Sequence, residues 1–408
     1  MVLLAIFACL FFLFSLVSGR LERTIITPPI VFTVAGMLMF PVLRSIVEPG
    51  LNRGIFLGLA EVGLVLLLFT EASQTKLVIL RSVGSLPARL LTIGMLLTIA
   101  LGALSALVVF PNLSIWEAGI LAAVLAPTDA GLGQAIVSSP RVPLRIREAL
   151  NVEAGLNDGL SVPFLLFFMA IAAAKIEGSP VALTQFIVEQ LGVGTLIGLV
   201  IGLGGGWLMG FCRSRKWVAE SFQQIGVVAL PLLCLAISEM FDASMFIAAF
   251  VAGLAVQVGL RDVVQESVEF GKEWGELVNL AVFFFFGLLV VRDSPQLHLT
   301  FWLYALLSLT VVRMLPVAVA LIGTGLDPAS TVFMGWFGPR GLASIVLGLV
   351  YLKQELSLPG ESTIRLAVIV TVLLSIFVHG LSTSMGIDLY ARRLSSLTVP
   401  APQHQQAN

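Results

Sequence analysis

The chain has 408 residues, 58% of them hydrophobic and 12% charged, against about 25% charged in soluble globular domains. With a mean hydropathy of +1.02, that balance excludes an ordinary soluble enzyme and describes an integral membrane protein. The net charge of -1 offers nothing to a nucleic acid, and no Walker, zinc or nucleophile-elbow motif is present.

Apolar runs of spanning length predict thirteen helices, at 2–18, 24–43, 54–73, 88–110, 115–138, 149–174, 187–211, 223–241, 242–259, 277–292, 300–322, 331–352 and 363–385. The first run lacks the basic leader of a signal peptide and counts as a span. Span seven carries GLGGG (Gly202 to Gly206), a run suited to close helix packing. Arg261 to Trp274 mixes charges with scattered apolar residues and reads as an amphipathic helix on the surface. The FFFF run of span ten, Phe283 to Phe286, reads as a lipid or dimer face. Cys9, Cys212 and Cys234 have no metal or redox spacing and read as packing residues.

Of the 23 Lys and Arg, 15 fall at odd-numbered connections or in the tail and 6 at even-numbered ones. The positive-inside rule then places the N-terminus outside and the C-terminus in the cytoplasm. The remaining two, Arg313 and Arg340, lie inside spans. Residues 1–386 read as one transmembrane unit, followed by a short cytoplasmic tail at 387–408 with no regulatory domain.

Two spans are interrupted. Span five is broken by APTDAGLG, with Pro127, Gly131 and Gly133, and span twelve by Gly338, Pro339 and Gly341. Seven spans apart, the two run in opposite directions, as inverted repeats of about 2–174 and 223–385 around a linker span at 187–211 would have it. The expected fold class is an all-α polytopic membrane protein whose broken helices cross at the midplane. Half-helix ends at that depth are tolerated only around a protein-lined cavity.

Spans five and six also carry Asp129, Glu153 and Asp158. A charge at the bilayer centre costs at least ~2.5–3.5 kcal/mol on insertion scales, so three together imply a function. Glu153 needs a cation to stay ionised, and Arg313, in TVVRMLPVAV, is the candidate; Asn157, one helical turn on, can reach that pair by its amide. Asp158 and Asp129 are left without an obvious permanent partner, and of the two Asp158 reads as the carrier. A desolvated carboxyl holds either a proton or a small dehydrated cation, and that competition suffices to couple two gradients. Thr128 and Asp129 sit at the break in span five, where hydroxyl, carboxylate and freed carbonyls supply hard oxygen ligands. Asp129 equally suits the cap of the second half-helix. Arg340 either neutralises carbonyl ends or repels cations from the wrong route. Glu61 is a second acid or a packing residue, and His298, His379 and His404 are peripheral.

The runs PTDA (127–130), LNVEAGLNDG (150–159) and FGPRGLAS (337–344) resemble the NhaP-like branch of the monovalent cation:proton antiporters, relatives of the eukaryotic sodium/proton exchangers. The resemblance implies a non-enzymatic, cofactor-free homodimer in a bacterial inner membrane, exchanging one sodium for one proton. It implies that Asp158 binds the monovalent cation and the proton, with Thr128, Asp129 and Glu71 beside it. Glu153, Asn157 and Arg313 would form a structural polar cluster, and Asn at 157 points to electroneutral exchange. Two departures stand out: Ala154 where many relatives have Ser, and Ala130 where they often have Pro. The missing hydroxyl leaves potassium/proton exchange as the alternative to sodium. A passive cation channel is the reading from another class; an aspartic protease is disfavoured, because Thr128 and Asn157 precede the two acids rather than Gly.

Overall fold

A computed structural model describes residues 2–21, 24–47, 53–74, 85–177, 185, 188–259, 264–354, 356 and 358–398. Among these every regular element is a helix. With no water to satisfy a strand edge in lipid, the helix, which closes its hydrogen bonds within one segment, is what so apolar a chain can form. Among the described residues eight stretches are long and apolar enough to cross a membrane, and five further apolar helices have 10–17 residues.

The chain opens with α1 (Val2–Leu21), α2 (Pro28–Val47) and α3 (Arg53–Gln74). Next come α4 (Leu86–Val109), α5 (Ile115–Val124), α6 (Ala130–Ser138) and α7 (Leu144–Glu177). The middle holds α8 (Val188–Ser214), α9 (Glu220–Met240), α10 (Met245–Val256) and α11 (Val264–Asp293). The last five are α12 (Leu299–Leu309), α13 (Val311–Ala320), α14 (Pro328–Trp336), α15 (Leu342–Lys353) and α16 (Glu361–Thr398).

These helices sort into two interleaved bundles. α2, α3 and α8 to α11 pack together; α4 to α7 pack with α12 to α16. The bundles meet where α3 and α10 lie on α7, and where α3 and α11 lie on α15. In the first bundle small residues bring backbones into contact, as helix packing in lipid requires. A Cβ at Gly202 or Gly206 of α8 would strike the carbonyls of Ala252 or Val256 on α10, so the glycine run is a packing seam.

Three expectations are corrected. Phe283 to Phe286 are all buried, and Phe284 lies 6.2 Å from Phe7, so the run faces protein rather than lipid or a second copy. Four consecutive helical positions point in every direction, and α2, α3 and α9 surround α11. The segment before it is no separate surface helix: α11 runs unbroken from Val264, while 260–263 lie outside the described residues. Span eleven is not continuous either. It breaks at Thr310 (φ -107°, ψ -88°), whose hydroxyl bonds back to the Leu306 carbonyl at 2.6 Å.

The tail expected from 387 begins as helix. α16 continues to Thr398 because Tyr390 stacks on Phe333 at 4.3 Å and its hydroxyl meets Ser330 Oγ at 2.6 Å. Residues 399–408, with His404, lie outside the described residues.

Candidate functional site

Both expected breaks occur, the first at Pro127 with Gly131 and Gly133 inside the helix that follows it, the second at Gly338, Pro339 and Gly341. α5 stops at Val124 and α6 starts at Ala130; α14 stops at Trp336 and α15 starts at Leu342. Asp129 is the N-cap of α6, its Oδ1 accepting from Leu132 N at 2.9 Å. Its Oδ2 accepts from Leu342 N, the first residue of α15, at 2.7 Å. One carboxylate thus serves the positive ends of two half-helices. The exchange is mutual: Arg340 Nη1 donates to the carbonyls of Ala126 and Pro127, at 2.6 and 2.8 Å, beyond the end of α5. Arg340 therefore neutralises carbonyls, one of the two roles open to it from the sequence.

Two glycines are demanded by these contacts. A Cβ on Gly341 would occupy the space of the Asp129 carboxylate, and one on Gly338 that of the Arg313 guanidinium. The Pro-Gly breaks thus interrupt the helices and also let the charges in.

Along α7, Glu153 and Arg313 form a two-pronged pair at 2.5 and 3.0 Å, both side chains nearly inaccessible. Asn157 does not join it. Its Nδ2 donates to Thr128 Oγ1 at 2.7 Å, fastening α7 to the break instead, because both carboxylate oxygens of Glu153 already hold Arg313. Asp158 is buried, with no hydrogen-bond partner for Oδ1 and no ion pair among the described residues. The charges that act on it most are Glu71, Asp129 and Arg340. Glu71 reaches the site from the other bundle: its Cβ lies 3.6 Å from where a Cβ on Gly155 would be.

A cavity of about 20 Å³ leads into this cluster, lined by Thr128, Asp129, Gly133, Asn151, Ala154 and Pro339 among others. About 10–15 Å³ suffices for one water, so the space suits one water or one dehydrated cation. It lies on the side of the 139–143 connection and ends a turn short of Asp158. Asn151 is exposed there and was not singled out from sequence, although its spacing from Ala154 and Asp158 (three and seven residues) puts all three on one face of α7.

The remaining candidate lies apart. Glu61 pairs with Lys353 at 2.8 Å across the two bundles, away from the crossing.

The family model described as sodium/hydrogen exchanger, transmembrane, matches residues 6–386. The chain belongs to that family. It is 26% identical over 329 residues to Na(+)/H(+) antiporter 2 of Zygosaccharomyces rouxii, covering 72% of this chain and 40% of that protein. To the K(+)/H(+) antiporter NhaP of Alkalimonas amylolytica it is 27% identical over 346 residues, covering 82% of this chain and 57% of the relative. The chain thus spans about half the length of these curated relatives. The solved structure of the sodium proton antiporter MjNhaP1 from Methanocaldococcus jannaschii at pH 8 matches with a TM-score of 0.78. That match covers 96% of this chain and 99% of the other at 20% identity, a likeness of fold.

Proposed function

We propose that this membrane protein exchanges a monovalent cation for a proton, with Asp158 as the group that carries either one. The observation behind the reading is the state of the buried charges. Glu153 is matched by Arg313, and Asp129 and Arg340 are matched across the two breaks, while Asp158 Oδ1 is left open. Within that set a proton or a cation on Asp158 gives the same net charge, so exchange is one for one and electroneutral. Asn157 keeps it so by offering an amide where a second carboxylate would add charge. Its unpartnered Oδ1, the Thr128 hydroxyl and Glu71 are the oxygens that would join Asp158 around the cation.

Alternating access fits the bundle arrangement. The cavity opens on the side of the 139–143 connection, which the basic residues mark as cytoplasmic. On the opposite side the bundles are tied by Glu61–Lys353 and by Asp293, which accepts from Arg365 at 2.8 Å. Rocking one bundle against the other would exchange the open side for the closed one. Thirteen spans in two inverted repeats, a homodimer and an inner-membrane location with a cytoplasmic C-terminus complete this reading.

Sodium is the proposed cation. Potassium is the second reading, favoured by the wall at Ala154, which lacks a hydroxyl to hold a small ion tightly. The test is proton flux in proteoliposomes under an imposed pH gradient, with sodium or potassium added in turn. Asp158→Asn should abolish cation-driven flux without loss of folded protein. Undiminished exchange in that variant, or single-channel conductance in the wild type, would overturn the proposal.

A further inference from the structure

His379 and Ser375 of α16 take no part in the exchange just described, yet both are buried against the break between α14 and α15. We infer that His379 is a positioning residue which, through Ser375, splints the two ends of this break with its proton held on Nε2. For its consequence on transport the inference rests on the antiport reading.

The assignment follows from which atoms can donate. His379 Nε2 lies 3.0 Å from the Trp336 carbonyl, at the end of α14. Both ring nitrogens face a carbonyl, which only accepts, but Nδ1 also meets the Ser375 hydroxyl, which can donate to it, so both nitrogens are bonded only when Nε2 carries the hydrogen. Nδ1 is then an acceptor, and it lies 3.1 Å from both Ser375 Oγ and the Ser375 carbonyl. Two acceptors cannot bond, so the Ser375 hydroxyl turns its hydrogen to Nδ1. Ser375 Oγ in turn accepts from Arg340 N at 2.6 Å. A single directed relay therefore runs from Arg340 N–H through Ser375 and the imidazole to Trp336 O.

One end, the Arg340 N–H, is a backbone donor that the break deprives of an intrahelical partner; the other, the Trp336 carbonyl, accepts from Gly338 N at 2.9 Å and takes the imidazole as its second donor. Residues 337–340 carry no helix, and Pro339 has no N–H to contribute. At this depth backbone polar groups need protein partners, and α16 supplies them from the side. The same relay fixes Arg340, whose guanidinium holds Ala126 and Pro127, and Leu342, whose N–H holds Asp129. α16 thereby sets the register in which the two broken helices cross.

Gln at 379 can present an N–H near the Nε2 position; Ala cannot. Losing the relay should raise the apparent cation KM about fivefold, the effect of one neutral hydrogen bond. The experiment compares His379→Gln, His379→Ala and Ser375→Ala in proteoliposomes, and reads the tautomer from the ¹⁵N spectrum of histidine-labelled full-length protein, using His379→Gln to assign the signal. The expected result is a raised KM in His379→Ala and Ser375→Ala, a KM near wild type in His379→Gln, and protonated Nε2 with bare Nδ1. An Nδ1-protonated ring, or the same KM in all variants, would overturn the inference. Should His379→Ala fail to accumulate, the other two variants and the spectrum still decide. Absence of exchange in the wild type would instead strike the antiport reading, with the tautomer still deciding the splint.

Discussion

Glu153→Gln separates the structural charges of this protein from the one proposed to carry the cation. The change keeps the shape of the side chain but leaves the Arg313 guanidinium with 5% accessibility and no counter-charge, in a region that also holds the buried Arg340. Of the two prongs, at 2.5 and 3.0 Å, one is lost, because the amide NH2 faces a guanidinium N–H, and the other becomes a bond to a neutral oxygen. Removing one partner of a buried pair typically costs about 3–5 kcal/mol, or two to nearly four powers of ten in the folded-to-unfolded ratio. Thermal unfolding in detergent, followed by size-exclusion chromatography with fluorescence detection, should show a large fall in midpoint. Replacing the pair by Glu153→Leu with Arg313→Leu should recover most of that loss, since an apolar pair of similar volume is often no worse than a buried ion pair. The double variant should also exchange cations, because Asp158 is untouched. A stable Glu153→Gln protein with no exchange would refute this reasoning and move the carrier role to Glu153.

Three further outcomes are expected. Asp129→Ala removes acceptors from Leu132 N and Leu342 N together, and with caps worth about 0.5–2 kcal/mol each it should unfold more readily than Asp129→Asn; equal midpoints would count against the double cap. Ala154→Ser adds a hydroxyl to the cavity wall, and competition flux should shift toward sodium over potassium; an unchanged ratio would remove Ala154 from the selectivity argument. Asp293→Asn weakens the tie to Arg365 on the side opposite the cavity, so an Ala154→Cys probe should become less reactive toward an impermeant thiol reagent applied on the cavity side. Undiminished labelling would show that this ion pair does not hold the bundles in the described arrangement.

The relation between spans and breaks explains how much could be read in advance. Lipid obliges each span to close its own hydrogen bonds and to be apolar for its whole length, so both limits are written locally. The breaks at 125–129 and 337–341 announced themselves through Pro127 in the one and Gly338, Pro339 and Gly341 in the other, with charges beside them. The Glu153–Arg313 pair was legible for a related reason: a buried carboxylate needs a cation, and few were available at depth. The kink at Thr310 was not legible, since threonine interrupts a helix only in some settings and no proline stands beside it.

Composition and order along the chain thus determined that the protein lives in a membrane, where most of its helices run, where two of them break, and which two acids have no evident partner. Tertiary structure alone decided which side chain meets which. It turned Asn157 to Thr128 rather than to Arg313, set Asp129 across two helix ends, buried Phe283 to Phe286, and brought His379 to the second break. The reason is that lipid and protein interior are equally apolar: hydropathy reports depth along a helix and is silent about the direction in which each residue faces.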